Sequence, residues 1–142
     1  MTPSPATPKA DCVLDTSAWV ALFNDEPAAA ALAAAQGEGR TVTTPIVLAE
    51  VAALEALGRL RGASLVNDVE KRSRFEPLTR EDAIEGARTY ARLRKTGRSK
   101  IGLADALIYA TARRVGATLI TLDTDLTGEA GVTVLAQDRK AR

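Results

Sequence analysis

The stretch LADALIYATARRVGATLITLD, residues 103–123, predicts a helix followed directly by a strand. Residues 103–115 have apolar side chains at helical spacing, and the glycine that comes next ends the segment. Residues 117–122 form an apolar run with β-branched side chains, which favours a strand. Asp105 lies early in the helix, and Asp123 directly follows the strand. The stretch therefore predicts a helix–strand unit that presents two carboxylates.

The same alternation extends over the rest of the chain. Further strand-like runs occur at 11–15, 41–43, 74–78 and 132–135. Helices are predicted to open near Ser17, to cover 28–36, to run from Pro45 to about Leu60, to cover 63–73, and to run from Thr79 to about Lys95. This order predicts an α/β fold with a mainly parallel sheet and right-handed crossovers.

The chain is expected to form one domain over residues 11–142. Residues 1–10 contain three prolines and no apolar segment, which indicates a disordered leader and not a signal peptide. Cys12 is the one cysteine, so an intramolecular disulfide is excluded. This cysteine usage fits a reducing compartment, and a cytoplasmic location is therefore expected.

The 142 residues include no histidine. This excludes Ser-His-Asp and Cys-His catalysis, imidazole general bases and histidine-ligated zinc. A single cysteine cannot form a zinc cluster either. The chemistry must therefore depend on carboxylates, hydroxyls, Lys and Arg, or a hard metal ion.

Asp15 and Asp123 each lie at the carboxyl end of a predicted strand. In open parallel sheets, ligands bind beyond the carboxyl ends of the strands, where the strand order reverses. Both acids also have local explanations. Asp15 can cap the helix that opens near Ser17, and an Asx turn would explain Asp123 or Asp125 alone.

Glu50 and Asp105 lie among apolar residues within helical segments. Glu50 is one turn from both Val47 and Leu54, a position that faces the core side of its helix. Asp105 has small neighbours and lies where the helix dipole favours an anion. Carboxylates are seldom buried unless they are paired, protonated or bound to a cation. Gathered in one pocket, the four acids would raise one another's pKa and bind Mg2+ or Mn2+, as in a metal-dependent nuclease.

Four segments resemble the acidic motifs of PIN domains, and more narrowly those of the VapC-type toxin ribonucleases. The segments are VLDTS (13–17), TPIVLAEV (44–51), LADALIYATA (103–112) and TLDTD (121–125). The resemblance covers residues 11–136, with the motifs in the family's order and at suitable spacing. Leu126 stands where the family usually has an aromatic residue, and the leader is longer than usual. Neither departure affects the acids.

The resemblance implies a three-layer α/β/α fold with a five-stranded, mainly parallel sheet. It also implies Mg2+- or Mn2+-dependent endoribonuclease activity, homodimerisation, and neutralisation by a cognate antitoxin. The acids with implied catalytic roles are Asp15, Glu50, Asp105 and Asp123. The implied metal ligands are Asp15, Asp105, Asp123 and Asp125, and the implied supporting hydroxyls are those of Ser17 and Thr121.

The stretch from Ala87 to Gly102 contains several basic residues and no acid. It leads into the Asp105 helix, so its cations could lie beside the metal site and hold an RNA backbone. A solvated helix face explains the same pattern. The candidate RNA contacts are Arg92, Arg94, Lys95, Arg98 and Lys100. A second basic cluster, which consists of Arg59, Arg61, Lys71, Arg72 and Arg74, is scattered along the chain.

Three other interpretations of the chain stay open. The segment DTDLT (123–127) matches the nucleophile motif of haloacid-dehalogenase-type phosphatases, but that motif belongs after an early strand. A receiver-like phosphoacceptor domain would need an acceptor Asp at the end of the middle strand, where residues 74–78 read RFEPL. A PIN-like scaffold that binds RNA or protein without cleavage keeps the fold and loses the chemistry.

Overall fold

A five-stranded sheet forms the centre of the computed structural model, which describes residues 11–36, 40–60, 64–97 and 99–135. Every strand pair in it is parallel. The strands are β1 (Cys12–Leu14), β2 (Thr41–Thr43), β3 (Arg74–Phe75), β4 (Thr118–Thr121) and β5 (Val132–Val134). The predicted parallel α/β fold is therefore confirmed, while the leader predicted at 1–10 lies outside the described residues.

Helices flank the sheet and complete the three-layer α/β/α arrangement that the resemblance implies. The helices are α1 (Thr16–Phe23), α2 (Ala29–Gln36), α3 (Pro45–Ala56), α4 (Leu65–Arg72), α5 (Arg80–Lys95) and α6 (Leu103–Arg114). Local sequence sets two of their starts. Thr44 caps α3, with Pro45 directly after it, and Thr79 forms a reciprocal capping box with Asp82 at the start of α5.

Helix α3 is shorter than the sequence analysis predicts, because it ends at Ala56 and does not continue to Leu60. Gly58 adopts a left-handed conformation with φ 69°. Its N–H donates to the carbonyl of Glu55, and the next N–H, that of Arg59, donates to the carbonyl of Leu54 at 2.9 Å. This pair of bonds is a Schellman motif, which ends a helix by satisfying its last carbonyl groups.

The strand order is β3-β2-β1-β4-β5, so the chain first builds outward from β1 and then returns to its other side. The switch point of the sheet therefore lies between β1 and β4. Asp15 directly follows β1, and Asp123 lies two residues beyond the last residue of β4. The topology thus brings both acids to the edge where parallel sheets bind ligands.

Helix α6 packs closely against α5 beside Asp105. A Cβ atom on Gly86 of α5 would lie only 2.8 Å from Cδ2 and 3.1 Å from Cα of Leu107. The missing side chain therefore lets the two helices approach beside Asp105, in the first turn of α6. Within the described ranges, no helix has the length and apolar character that a membrane crossing requires.

Candidate functional site

Asp15 is a buried carboxylate at the carboxyl end of the central strand β1, and only 8% of its surface is exposed. Its Oδ1 accepts hydrogen bonds from the hydroxyl of Ser17 at 2.6 Å and from the backbone N–H of Ala18 at 2.9 Å. Its Oδ2 accepts a hydrogen bond from the hydroxyl of Thr121. The residue therefore caps α1, as the local explanation predicts, and also faces the switch point of the sheet.

Burial raises the pKa of Asp15 above its ordinary value, and the negative charge of Asp123 raises it further. The hydrogen bonds from Ser17, Thr121 and the Ala18 N–H act in the opposite direction without cancelling the effect of burial. These donors hold the carboxylate in one orientation, which favours a cation that needs a fixed oxygen ligand.

Ser17 and Thr121, the two predicted supporting hydroxyls, join β1 to β4 around Asp15. The oxygen of Ser17 accepts the N–H of Leu122 at 3.1 Å while its hydroxyl donates to Asp15. The oxygen of Thr121 likewise accepts the N–H of Asp123 at 2.9 Å. Each hydroxyl thus connects the Asp15 carboxylate to the backbone that leads to the next acid.

Asp105, Asp123 and Asp125 form a cluster in which one carboxylate oxygen of each lies within 4.8 Å of the others. Asp105 is half-buried in the first turn of α6, and Asp123 is exposed, since the loop after β4 carries it away from the core. The N–H of Asp125 donates to Oδ1 of Asp123 at 3.1 Å, the Asx turn that the sequence suggests. Three of the four predicted metal ligands are therefore adjacent.

Asp15 lies outside this group of three but lines the same pocket. The apolar side chains of Ile108, Leu119 and Leu126 line part of the pocket. The lining residues are Asp15, Asp105, Ile108, Leu119, Thr121, Asp123, Asp125 and Leu126. Leu126, the departure from the family pattern, contributes to this apolar part.

Asp105 is repelled by every other acid of the site. Burial raises its pKa to about 6, together with the negative charges of Glu50, Asp15, Asp123 and Asp125. The pKa of Asp125 is also raised, mainly by burial and by the charge of Asp123. Oxygen ligands with excess negative charge are the donor set that Mg2+ and Mn2+ prefer, so the residues present fit a hard divalent cation.

Glu50 lies beside this cluster and is not part of it. The side chain is half-buried on α3, and the hydroxyl of Thr16 donates to its Oε1 at 2.7 Å. Of the charges that raise the pKa of Asp105, that of Glu50 has the largest effect. Glu50 therefore acts on the site through its negative charge, and it is not one of the three adjacent carboxylates.

The predicted RNA-binding cations do not all face the pocket. Arg92 forms an ion pair with Glu129, and the guanidinium of Arg94 lies 5.9 Å from the ring centroid of Tyr90. Lys95 ends α5, and Arg98 lies outside the described residues. Lys100 lies next to Asp125. Its backbone N–H and its positive charge both lower the pKa of that acid.

Thr16 and Ser99 support the site, although neither belongs to the residues predicted from the sequence. The Ser99 hydroxyl donates to the carbonyl of Asp125 at 2.8 Å and its oxygen accepts the N–H of Ile101 at 3.0 Å. These bonds tie the loop before α6 to the loop after β4. Thr16 lies between Asp15 and Ser17, two predicted site residues, and this position could have indicated its role. Ser99 lies in a loop, where no local sequence pattern indicates a role at the site.

Thr121→Val is expected to weaken Mn2+ binding by about 10- to 100-fold, because the hydroxyl that orients Asp15 is lost. Titration calorimetry with Mn2+ measures the effect. Thr133→Val, the same substitution at an exposed position of β5, serves as the control and should bind Mn2+ like the parent protein. Equal affinities of the two variants would contradict a role of Thr121 at the site.

The fold and the site define a parallel α/β domain with an acidic pocket at the switch point of its sheet. The model of the PIN domain family matches residues 12–128. The chain therefore belongs to the PIN domain family. No protein of curated function matches the chain in a sequence comparison.

Several solved structures have the same fold. A toxin–antitoxin complex from Klebsiella pneumoniae is 21% identical over 87% of this chain and 96% of that chain, with a TM-score of 0.69. VapC20 of Mycobacterium tuberculosis, described as a sarcin-ricin loop cleaving toxin, is 22% identical over 87% of this chain and 98% of its own, with a TM-score of 0.67. VapBC-5 of the same organism is 25% identical over 89% of this chain and 98% of that chain, with a TM-score of 0.63. The fold is thus that of VapC-type PIN domains.

Proposed function

We propose that this PIN domain is a metal-dependent endoribonuclease and the toxin of a toxin–antitoxin pair. The observation that carries the proposal is the cluster of Asp105, Asp123 and Asp125 in one pocket with the buried Asp15. Burial, together with the negative charges of the neighbouring acids, raises the pKa of Asp105 to about 6, so the ionised site is destabilised until a cation enters. The likeness to toxins described as RNA-cleaving or antitoxin-bound supports the biological role.

The proposed ligands of Mg2+ or Mn2+ are Asp15, Asp105, Asp123 and Asp125. When bound there, a divalent cation would lower the pKa of a bound water and would stabilise negative charge on the phosphate. Asp15 acts as an oriented ligand, because Ser17 and Thr121 hold its oxygens. The hydroxyl of Thr16 binds Oε1 of Glu50, so we assign Oε2 of Glu50 as the acceptor of the water proton.

The proposed substrate is RNA, held on the α5 side of the pocket by cations. Lys100 is the best placed of them, because it lies next to Asp125. The other proposed contacts are Arg92, Arg94, Lys95 and Arg98. Base stacking contributes little in this proposal, since aromatic residues make up only 4% of the chain.

The proposed partners are a second copy of the chain and a cognate antitoxin. An arginine of the antitoxin would fit the acidic pocket, where paired carboxylate oxygens can accept a bidentate guanidinium. Co-expression with the cognate antitoxin should then block cleavage, and full activity of the co-purified pair would contradict this partner. We propose a cytoplasmic location, where RNA is available and Cys12 stays reduced.

RNA cleavage should require Mn2+ or Mg2+, stop on addition of EDTA, and fall by at least about 100-fold in Asp15→Asn. The measurement is gel analysis of transfer RNA and ribosomal RNA after incubation with the protein. Asp25→Asn removes an exposed acid at the end of α1 and should cleave like the parent protein.

The outcomes separate two functions. Cleavage that survives EDTA and Asp15→Asn would overturn the metal-site assignment. A folded protein that binds these RNAs without cleaving them in Mn2+ would instead support a catalytically silent PIN-like binding domain.

A further inference from the structure

Four cations lie together at the end of the sheet that is opposite the acidic pocket. Arg40 directly precedes β2, Arg74 is the first residue of β3, and Lys71 and Arg72 end α4. With Thr41 and Ser73 they line one open groove, called the basic groove from here on. Arg40 is distant in sequence from the other three cations, and the fold brings all four together.

The location of the basic groove follows from the parallel sheet. Parallel strands begin at one edge and end at the other, and Arg40 and Arg74 stand where β2 and β3 begin. Asp15 and Asp123 stand beyond the carboxyl ends of β1 and β4. The groove therefore lies at the opposite edge of the sheet from the pocket, and the two share no lining residue.

The groove carries excess positive charge. Asp11 is the acid that its cations share, with Arg40 at 3.5 Å and Arg74 at 3.9 Å from Oδ2. Arg74 also pairs with Glu76 at 3.1 Å. Lys71 and Arg72 form no ion pair with any acid in the described ranges. Their charges face solvent and are available to a ligand.

The C-terminal dipole of α4 accounts for cations at Lys71 and Arg72, but not for Arg40 and Arg74, which belong to other elements. Among the described residues, the groove lining contains no apolar or aromatic side chain. It offers neither an apolar enclosure for a small molecule nor a stacking surface for bases. Dispersed cations on an open polar surface match the regular charges of a phosphate backbone.

We propose that the basic groove is a second RNA-binding site, which holds the phosphate backbone of a long RNA away from the cleavage pocket. This proposal rests on the proposed ribonuclease function, because that function makes RNA the polyanion that the protein meets. A long folded RNA can contact both ends of the sheet, whereas a short oligonucleotide reaches one site only. Binding at the groove adds affinity without reading sequence.

The test compares Lys71→Gln/Arg72→Gln with a control of equal charge, Arg59→Gln/Arg80→Gln. Neither target residue has an ion-pair partner among the described acids, and glutamine keeps the helix propensity of α4. Both control residues are exposed and lie outside the groove. Fluorescence anisotropy measures binding of labelled transfer RNA and of a short labelled RNA oligonucleotide, with EDTA present so that no RNA is cleaved.

The groove variant should bind transfer RNA about 5- to 20-fold more weakly, with a salt slope smaller by about 2. Its affinity for the short oligonucleotide should also fall, because in EDTA the metal-free carboxylates of the pocket repel phosphate and the groove is then the site for a short RNA. Its thermal stability should match that of the parent protein. Unchanged binding of transfer RNA, or equal weakening in the control variant, would overturn the proposal. The binding measurement does not depend on cleavage. An absence of nuclease activity in Mn2+ would therefore count against the proposed function, whereas the effect of the groove variant on RNA binding tests the groove separately.

Discussion

Asp105→Asn is expected to reduce RNA cleavage by at least about 100-fold and, at the same time, to stabilise the metal-free fold at neutral pH. The two effects have one cause. Asp105 is half-buried and faces Glu50 and the other acids of the pocket, so its negative charge costs free energy unless a cation is bound. Asparagine keeps the shape of the side chain and removes that charge.

The pH dependence follows from the raised pKa of Asp105. Burial and the neighbouring acids raise this pKa from 3.8 to about 6, so the folded protein holds the proton more tightly than the unfolded chain. The stability of the metal-free protein therefore falls as the pH rises from about 4 to about 6 and then levels off. Solvent screens the half-exposed carboxyl, so the expected loss is about 1–2 kcal/mol.

Thermal unfolding in EDTA at about pH 5 and about pH 8 measures this effect. Asp105→Asn should unfold about 3–8 °C above the parent protein at the higher pH and show a smaller shift between the two. Mn2+ should stabilise the parent protein more than the variant. Glu70→Gln, which alters an exposed acid of α4, should follow the parent protein. A destabilised Asp105→Asn, or one that still cleaves RNA, would contradict the proposed role of Asp105.

Arg114→Met is expected to lower the free energy of unfolding by about 3 kcal/mol. Asp82 is 1% exposed, and Arg114 binds both of its oxygens, with Nε at 2.8 Å from Oδ1 and Nη2 at 3.1 Å from Oδ2. Methionine keeps most of the apolar stem of Arg114 but leaves the buried carboxylate with Thr111 and the Thr79 N–H as its partners. The pair connects the start of α5 to the end of α6, the helix that carries Asp105.

The acid dependence of this pair has the opposite sign to that of Asp105. Burial raises the pKa of Asp82, but the hydrogen bonds from Arg114, the Thr79 N–H and Thr111 outweigh it, so the pKa is lowered. The carboxylate therefore stabilises the fold above about pH 4, and this contribution is lost as the pH falls through the lowered pKa. Arg114→Met should weaken that acid dependence.

Urea unfolding measures the change in stability, with Arg113→Met as the control at the neighbouring exposed arginine. The double variant Asp82→Asn/Arg114→Met should recover part of the loss, because asparagine leaves no unpaired buried charge. A loss below about 1 kcal/mol, or the same loss in Arg113→Met, would show that the pair contributes no more than a surface ion pair.

The sequence by itself determined the features that depend on neighbouring residues. The alternation of apolar strands with helices predicts the parallel sheet, and the Thr79–Asp82 capping box predicts the start of α5. The positions of Asp15 and Asp123 after apolar runs predict which edge carries the site. Periodicity, caps and strand ends depend on residues that are close in sequence, so they can be recognised from the sequence alone. Gly58 carries such a signal for the end of α3, although the apolar pattern predicts an end at about Leu60.

The tertiary structure alone decided how the acids differ from one another. Asp15 meets the Thr121 hydroxyl 106 positions away, and Glu50 meets that of Thr16 across 34 positions. These contacts depend on which strands become neighbours and on how closely helices pack, and no local pattern encodes either. The same reason applies to the pKa of Asp105 and to the basic groove. Charges interact through the distance between them in space, and only the folded chain sets that distance.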